Sequence, residues 1–177
     1  GGGGLFFNGT ATTGIYTLSL HDALPSSCKL CGQYQSKPRR KKAPPLAILD
    51  DVMPVVPEGY VPFPDQGGFP QLCGPVHYRR QEDGRFINGI HSRLVHDNTN
   101  GVVHGGVLFT FADDIIGRAA SGISRRYATT ISMNVEYIAA GPLNTWINGT
   151  TKVAYMDDRF AFIQSRIFTD DKLILTA

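Results

Sequence analysis

The residues whose types and spacing could do chemistry lie in one short stretch, residues 98–113. His104-Gly105-Gly106 stands directly before a mostly apolar run, and Asp113 follows seven residues after the second glycine. A helix that begins at these glycines would present unpaired backbone N–H groups, which favour negative charge. Glycine there would also let a substrate carbonyl approach the backbone without meeting a Cβ atom. The stretch therefore predicts an oxyanion site, which stabilises negative charge in the transition state of acyl transfer.

Asp113 needs an explanation because it interrupts an otherwise apolar helix. Seven residues are about two helical turns, so Asp113 and Gly106 fall near the same helical face. As a carboxylate, Asp113 is a candidate general base that activates water, or a direct nucleophile. The alternative is that Asp113 or Asp114 only caps or solvates the helix where it emerges from the core.

The elements that must position these groups follow from the hydrophobic pattern. Residues 107–116 carry almost no polar face, so they predict a core helix buried nearly all round, loosened at its end by Gly117 and Gly122. Antiparallel strands are predicted at residues 76–80, 85–95, 130–137, 145–155, 159–168 and 172–177. One buried helix among such strands predicts an α+β fold with a sheet wrapped around the helix.

The strand predicted at residues 130–137 alternates strictly between apolar and polar side chains. This alternation predicts one buried face, formed by Ile131, Met133, Val135 and Tyr137. The last predicted strand begins at Lys172, and the sequence ends within it, so we expect the C-terminal strand to be truncated.

The stretch 98–113 resembles the signature of hot-dog-fold acyl-CoA thioesterases of the phenylacetate-pathway type. Those enzymes carry an Asn, a spaced Gly, His-Gly-Gly and an Asp nine residues after the His. The matching positions here are Asn98, Gly101, His104, Gly105, Gly106 and Asp113. Residues 130–137 and the turn at Gly141-Pro142 are similar to the family's next strand and turn. The resemblance covers about residues 75–177.

The resemblance implies the hot-dog fold, in which an antiparallel sheet wraps around one long central helix. It implies hydrolysis of an acyl-CoA thioester to a free acid and coenzyme A, with no cofactor and no metal. It also implies a homodimer, or a homotetramer. Its sites would combine Asn98 and Gly105 of one chain with Asp113 and Thr130 of its partner.

Individual roles also follow from the resemblance. The Gly105 N–H would donate to the oxyanion, Asn98 would help to place the thioester, and Thr130 would hold the attacking water. His104 would orient the loop and the helix start. The residues that would bind the substrate are Gly106, Phe109 and Tyr137.

Ordinary structural explanations stay open for some of these residues. Asn98 is also a common turn residue, and Thr130 is expected in a strand on propensity alone. His104 could instead transfer protons directly.

Two other functions stay open as well. A hot-dog hydratase or dehydratase would act on the acyl chain and would need an Asp and a His poised together over it. A non-catalytic acyl-CoA-binding module would bind the same ligand without releasing thiol.

Composition limits the classes of protein that need considering. Of 177 residues, 42% are hydrophobic and 18% are charged, which excludes a wholly disordered chain. No apolar run has the length that crosses a bilayer, so no membrane partner is expected. The formal charge is +2, and five positive charges fall within residues 37–42. Without a basic face spread over the domain, no nucleic-acid partner is expected.

The cysteines indicate a reducing compartment. Cys28, Cys31 and Cys73 are an odd set without an obvious pairing, which favours a cytoplasmic protein. Cys28 and Cys31 have the spacing of half a zinc site, but no second ligand pair completes it. His91 and His96 are expected to point to opposite faces of a strand, which argues against metal binding.

Three regions are predicted along the chain. Residues 8–26 resemble the in-frame translation of a sequencing-library adapter, so residues 1–26 are interpreted as a non-native tail. Residues 27–74 are rich in proline and basic residues and predict a largely irregular leader or linker, with one short helix at residues 46–53. Residues 75–177 are predicted to form the hot-dog thioesterase domain.

Overall fold

The computed structural model describes residues 55–64, 67–170 and 172–177. The helix predicted at residues 46–53, the pair Cys28 and Cys31, and the adapter-like segment lie outside these ranges. Among the described residues, no helix is long and apolar enough to cross a membrane.

Within the described residues, one antiparallel sheet has the strand order β1-β2-β3-β5-β6-β7-β4. Its strands are β1 (Val61–Pro62), β2 (His77–Arg80), β3 (Phe86–His91), β4 (Glu136–Tyr137), β5 (Trp146–Met156), β6 (Ala161–Thr169) and β7 (Lys172–Thr176). The helices are α1 (Phe69–Leu72) and α2 (Gly105–Ser124), with a 3₁₀ turn at Leu94–His96. The predicted α+β arrangement, a sheet around one long helix, is confirmed.

The core lies between α2 and the inner face of the sheet. From the helix it takes Leu108, Phe111, Ala112 and Ile115, which follow the helical period and are all at most 2% exposed. From the sheet it takes Ile90, Ile147, Ile167, Ile174 and Leu175. Full burial of one such side chain contributes roughly 1.5–3 kcal/mol of transfer free energy, so this contact dominates the stability of the domain.

Gly149 on β5 allows α2 to approach the sheet closely. A Cβ atom at this position would lie 2.7 Å from Cδ1 of Ile115 and 3.0 Å from side-chain atoms of Ile167 and Phe111. These separations are shorter than normal contacts between carbon atoms. The glycine is therefore required by packing.

The helix differs from its prediction in both extent and burial. It continues through Gly117 and Gly122 and ends at Ser124, followed by Arg125 in the left-handed region at φ 55°. It is not buried all round, since Phe109 is 40% exposed. The physical reason is that the sheet covers one stripe of the helix, whereas on the opposite stripe Thr130 contacts Asp113 and leaves Phe109 exposed.

The strand predicted at residues 130–137 is wrong over most of its length. Only Glu136 and Tyr137 pair with a neighbour, opposite Thr176 and Leu175 of β7. Ile131, predicted to be buried, is 80% exposed. A strand needs a hydrogen-bonding neighbour, and β7 ends opposite Glu136, so residues 130–135 have none among the described residues.

The other predicted strands are confirmed to within about two residues, apart from the end of β3. Strand β3 stops at His91, and the predicted continuation to residue 95 is replaced by the 3₁₀ turn. The Ser92 hydroxyl donates to the carbonyl oxygens of Pro142 and Thr145 at 2.9 Å each. Ser92 also donates its backbone N–H to the Thr145 carbonyl at 2.9 Å, and the chain leaves the sheet after it, where Nδ1 of His96 accepts the Arg93 N–H at 3.1 Å.

The sheet begins upstream of residue 75, where the hot-dog domain is predicted to start. Strand β1 pairs with β2, and the Tyr60 hydroxyl donates to Oδ1 of Asn148 at 2.6 Å. The domain limits stay a prediction.

Candidate active site

The start of α2 leaves one backbone donor free. Nδ1 of His104 accepts the Gly106 N–H at 2.9 Å, and the His104 carbonyl accepts the Val107 N–H at 3.0 Å. The Gly105 N–H has no partner among the described residues. The single free donor at the positive end of the helix dipole is therefore that of Gly105.

His104 occupies the N-cap position, with φ −60° and ψ 134°. Because Nδ1 accepts a hydrogen bond, the proton of the neutral ring is on Nε2. Direct proton transfer through Nδ1 would break this cap. The geometry is that of a residue that orients the helix start, and a direct role in catalysis stays untested.

The two adjacent acids on α2 have different partners. Asp113 is partly buried, and its Oδ1 accepts the Thr130 hydroxyl at 2.7 Å. Asp114 instead accepts Nε of Arg118 at 2.7 Å, one helical turn further on. Asp113 therefore keeps a carboxylate oxygen that no described cation neutralises, whereas Asp114 is held in an ion pair.

Asn98 lies in the loop before α2 and builds a turn there. Its Oδ1 accepts the Asn100 N–H at 2.8 Å, and its own N–H donates to the Val102 carbonyl at 3.0 Å. Asn98 therefore acts as a turn residue in this loop, as the alternative explanation expected. Contact with a thioester stays a prediction and would use the side-chain NH2 group.

Tyr137 reaches the helix start from β4. Its hydroxyl donates to the Gly105 carbonyl at 3.0 Å. A Cβ atom on Gly105 would lie 3.2 Å from three atoms of the Tyr137 side chain, and one on Gly106 would lie 3.0 Å from Nδ1 of His104. The chain's own rings therefore adjoin the space that a Cβ would take, and the approach of a substrate carbonyl to this backbone stays a prediction.

The Tyr137 contact was missed by sequence reasoning, which placed this residue on the buried face of a strand and treated it as a substrate contact. The predicted burial is wrong, since Tyr137 is 53% exposed. The two partners are 32 residues apart, and no local pattern joins them. Only the pairing of β4 with β7 brings the tyrosine to the glycine. Its predicted contact with the acyl group, and those of Gly106 and Phe109, stay untested.

His96 anchors the same loop from inside the protein. It is 3% exposed, its Nδ1 accepts the Arg93 N–H at 3.1 Å, and its carbonyl accepts the His104 N–H at 2.7 Å. Burial, with Arg93 and His91 nearby, lowers the pKa of His96 to about 4. His96 lies on the 3₁₀ turn and not on the strand from which its orientation relative to His91 was predicted, so that orientation stays a prediction.

The neutral state of His96 predicts acid-sensitive stability. A pKa lowered in the fold from 6.5 to about 4 means that the stabilisation is complete above about pH 6.5 and is lost as the pH falls towards 4. When the pH is lowered from 7 to 4.5, protonation linked to His96 should reduce the free energy of unfolding, measured in urea, by about 2–3 kcal/mol. His96→Asn keeps a hydrogen-bond acceptor and does not titrate. The free energy of unfolding of this variant should therefore fall by about 2–3 kcal/mol less than that of the wild type over the same pH range. Equal losses in both proteins would contradict the prediction.

The free donor and the free carboxylate lie on one helix but far apart. Gly105 and Asp113 are separated by eight residues, which is about 12 Å along the axis of an α-helix. A hydrogen bond or an attacking water reaches only about 3 Å. Within one chain the two groups therefore cannot act on the same carbonyl.

An antiparallel sheet wrapped around one long helix, with a histidine cap and glycines at the helix start, defines a hot-dog domain. The family model described as Thioesterase superfamily matches residues 100–175.

Individual proteins are also similar to this chain. "Putative esterase PA0474" of Pseudomonas aeruginosa is 26% identical over 125 residues, which are 69% of this chain and 92% of that protein. The solved structure of conserved protein PA5202 from Pseudomonas aeruginosa has a TM-score of 0.56 and 23% identity, covering 63% of this chain and 89% of that one. A hypothetical thioesterase from Streptococcus pneumoniae, solved with coenzyme A, has a TM-score of 0.52 and 19% identity, covering 57% and 79%. Both structures share the fold.

Proposed function

We propose that this protein hydrolyses acyl-CoA thioesters to a free acid and coenzyme A, and that it belongs to the phenylacetate-pathway type of its superfamily. The observation that carries the proposal is the unpaired Gly105 N–H at the start of α2, on the same helix as the Asp113 carboxylate. The match of residues 100–175 to the Thioesterase superfamily model supports the reaction class. The coenzyme A bound to the Streptococcus pneumoniae protein supports the ligand class.

In the proposed reaction, Asp113 accepts a proton from water while the water oxygen attacks the thioester carbonyl carbon. The negative charge that develops on the carbonyl oxygen is stabilised by the Gly105 N–H. The C–S bond then breaks, and the thiolate of coenzyme A takes the proton back from Asp113. Thr130, which donates to one carboxylate oxygen, leaves the other oxygen for the water. Attack by Asp113 itself is the alternative, and would pass through an anhydride that water hydrolyses.

The proposed site is shared between two chains. The separation of about 12 Å between the donor and the carboxylate requires the partner's helix to supply one of them. Apolar side chains near both groups are exposed, namely Phe109, Ile131 and Tyr137. Their exposure supports the inference that a second chain covers this surface. We therefore infer a homodimer, with a homotetramer as the larger alternative.

Release of thiol from a panel of acyl-CoAs tests the proposed reaction. Hydrolysis should release free thiol in proportion to enzyme, for at least one acyl group. A rise in melting temperature with an acyl-CoA but without thiol release would favour the binding module. Consumption of an enoyl-CoA with its thioester intact would favour the hydratase.

Mixing two inactive variants tests the shared site. Asp113→Asn and Gly105→Pro each remove one half of every site in their own homodimer. When equal amounts are refolded together, half of the dimers are mixed, and each mixed dimer has one intact site. The mixture should recover about a quarter of wild-type activity. No recovery, with mixed dimers shown by mass spectrometry, would place both groups in one chain.

A further inference from the structure

Tyr137 and His104 hold the two ends of one peptide group. The Tyr137 hydroxyl donates to the Gly105 carbonyl at 3.0 Å, and Nδ1 of His104 accepts the Gly106 N–H at 2.9 Å. This C=O and this N–H belong to the same planar unit between Gly105 and Gly106. Its orientation is therefore held on both sides.

The free Gly105 N–H belongs to the preceding peptide group. The two groups are joined at the Gly105 Cα atom, so the direction of the N–H depends on the backbone dihedrals of a glycine, and on the bond that the His104 carbonyl of the same group accepts from the Val107 N–H at 3.0 Å. Glycine restrains these dihedrals less than any other residue. The Tyr137 ring supplies the restraint that a side chain would have given, since it lies 3.2 Å from the position of the missing Cβ.

The sheet fixes the position of Tyr137 in turn. Tyr137 is paired with Leu175, which is fully buried, and the next residue, Ile138, donates its N–H to the Ile174 carbonyl at 2.8 Å. The helix start is thereby attached to β7. Burial raises the pKa of Tyr137, so its hydroxyl stays protonated and able to donate at neutral pH.

We propose that Tyr137 is a positioning residue, which holds the Gly105–Gly106 peptide so that the Gly105 N–H points towards the substrate carbonyl. This inference rests on the proposed thioesterase function. In this role the tyrosine hydroxyl bonds to the protein's own backbone. A role in binding the acyl group would instead need the hydroxyl to face the ligand.

Tyr137→Phe tests the proposal because it removes the hydroxyl and keeps the ring. We expect kcat to fall about threefold to tenfold, the effect of one ordinary hydrogen bond, while KM changes less than twofold. The matched control is Tyr155→Phe, which removes a hydroxyl that donates to Asp157 at 3.3 Å at the far end of β5. The control should leave both constants unchanged.

Amide hydrogen exchange gives a second readout that does not depend on activity. In Tyr137→Phe, the Gly106 amide, which is bonded to Nδ1 of His104, should exchange about threefold to tenfold faster, while the amides of the core strands keep their rates. Unchanged exchange together with unchanged kcat would overturn the proposal. A raised KM with unchanged kcat and exchange would also overturn it, and would make Tyr137 a substrate contact.

The two proposals fail in different ways. If the wild-type protein releases no thiol from any acyl-CoA, the proposed function fails. Faster Gly106 exchange in Tyr137→Phe would then still show that the tyrosine holds the helix start.

Discussion

Asp113→Asn should lower kcat for acyl-CoA hydrolysis by about two to four orders of magnitude, the contribution usual for a general base. The amide has almost the same shape as the carboxylate and can still accept the Thr130 hydroxyl, which lies 2.7 Å away in the native protein. It cannot accept a proton from water. Thiol release at saturating substrate measures the effect, and the melting temperature and dimer mass should stay the same.

Asp114→Asn is the matched control, because it makes the same chemical change one residue away on the same helix. Asp114 is paired with Arg118 and is partly buried, so its loss should lower the melting temperature and leave kcat within about threefold. The two variants thus separate catalysis from stability. A near-normal rate in Asp113→Asn, or equal losses of rate in both variants, would remove Asp113 as the base.

Gly105→Pro should lower kcat by about a hundredfold to a thousandfold, the usual cost of losing one oxyanion donor. Proline has no N–H, and it is favoured at the first position of a helix, so it deletes the donor without breaking α2. The preceding residue, His104, already has φ −60° and ψ 134°, a conformation compatible with a following proline. Circular dichroism should show the helix content of the wild type.

Gly105→Ala is the control for the added carbon, since it carries the same Cβ but keeps the N–H. That Cβ would lie 3.2 Å from the Tyr137 ring, which must shift slightly. We expect a loss of less than about tenfold, because the donor remains. If alanine and proline reduce kcat equally, steric displacement rather than the missing N–H is responsible. The Gly105 N–H would then not be the oxyanion donor.

Local patterns predicted most of the fold because they are properties of neighbouring residues. The alternating strands β5, β6 and β7 and the apolar helix α2 were placed within about two residues, apart from the helix end. The failures occurred where the outcome depends on a distant neighbour. Residues 130–135 alternate as a strand should, yet lack a pairing strand among the described residues.

The candidate site divides in the same way. The order His104-Gly105-Gly106 and the spacing to Asp113 were readable directly, because a helix places residues by its own fixed period. The bond between Asp113 and Thr130 could be anticipated only through the family resemblance, and the buried neutral His96 was not anticipated.

By itself, the sequence determined where the central helix begins and which acid lies two turns along it. These properties follow from backbone geometry and from side chains a few residues apart. Only the tertiary structure decided that Tyr137 occupies the space beside Gly105 and that Thr130 donates to Asp113. Such contacts depend on strand pairing and close packing between distant segments, where differences of a few tenths of an ångström select one arrangement.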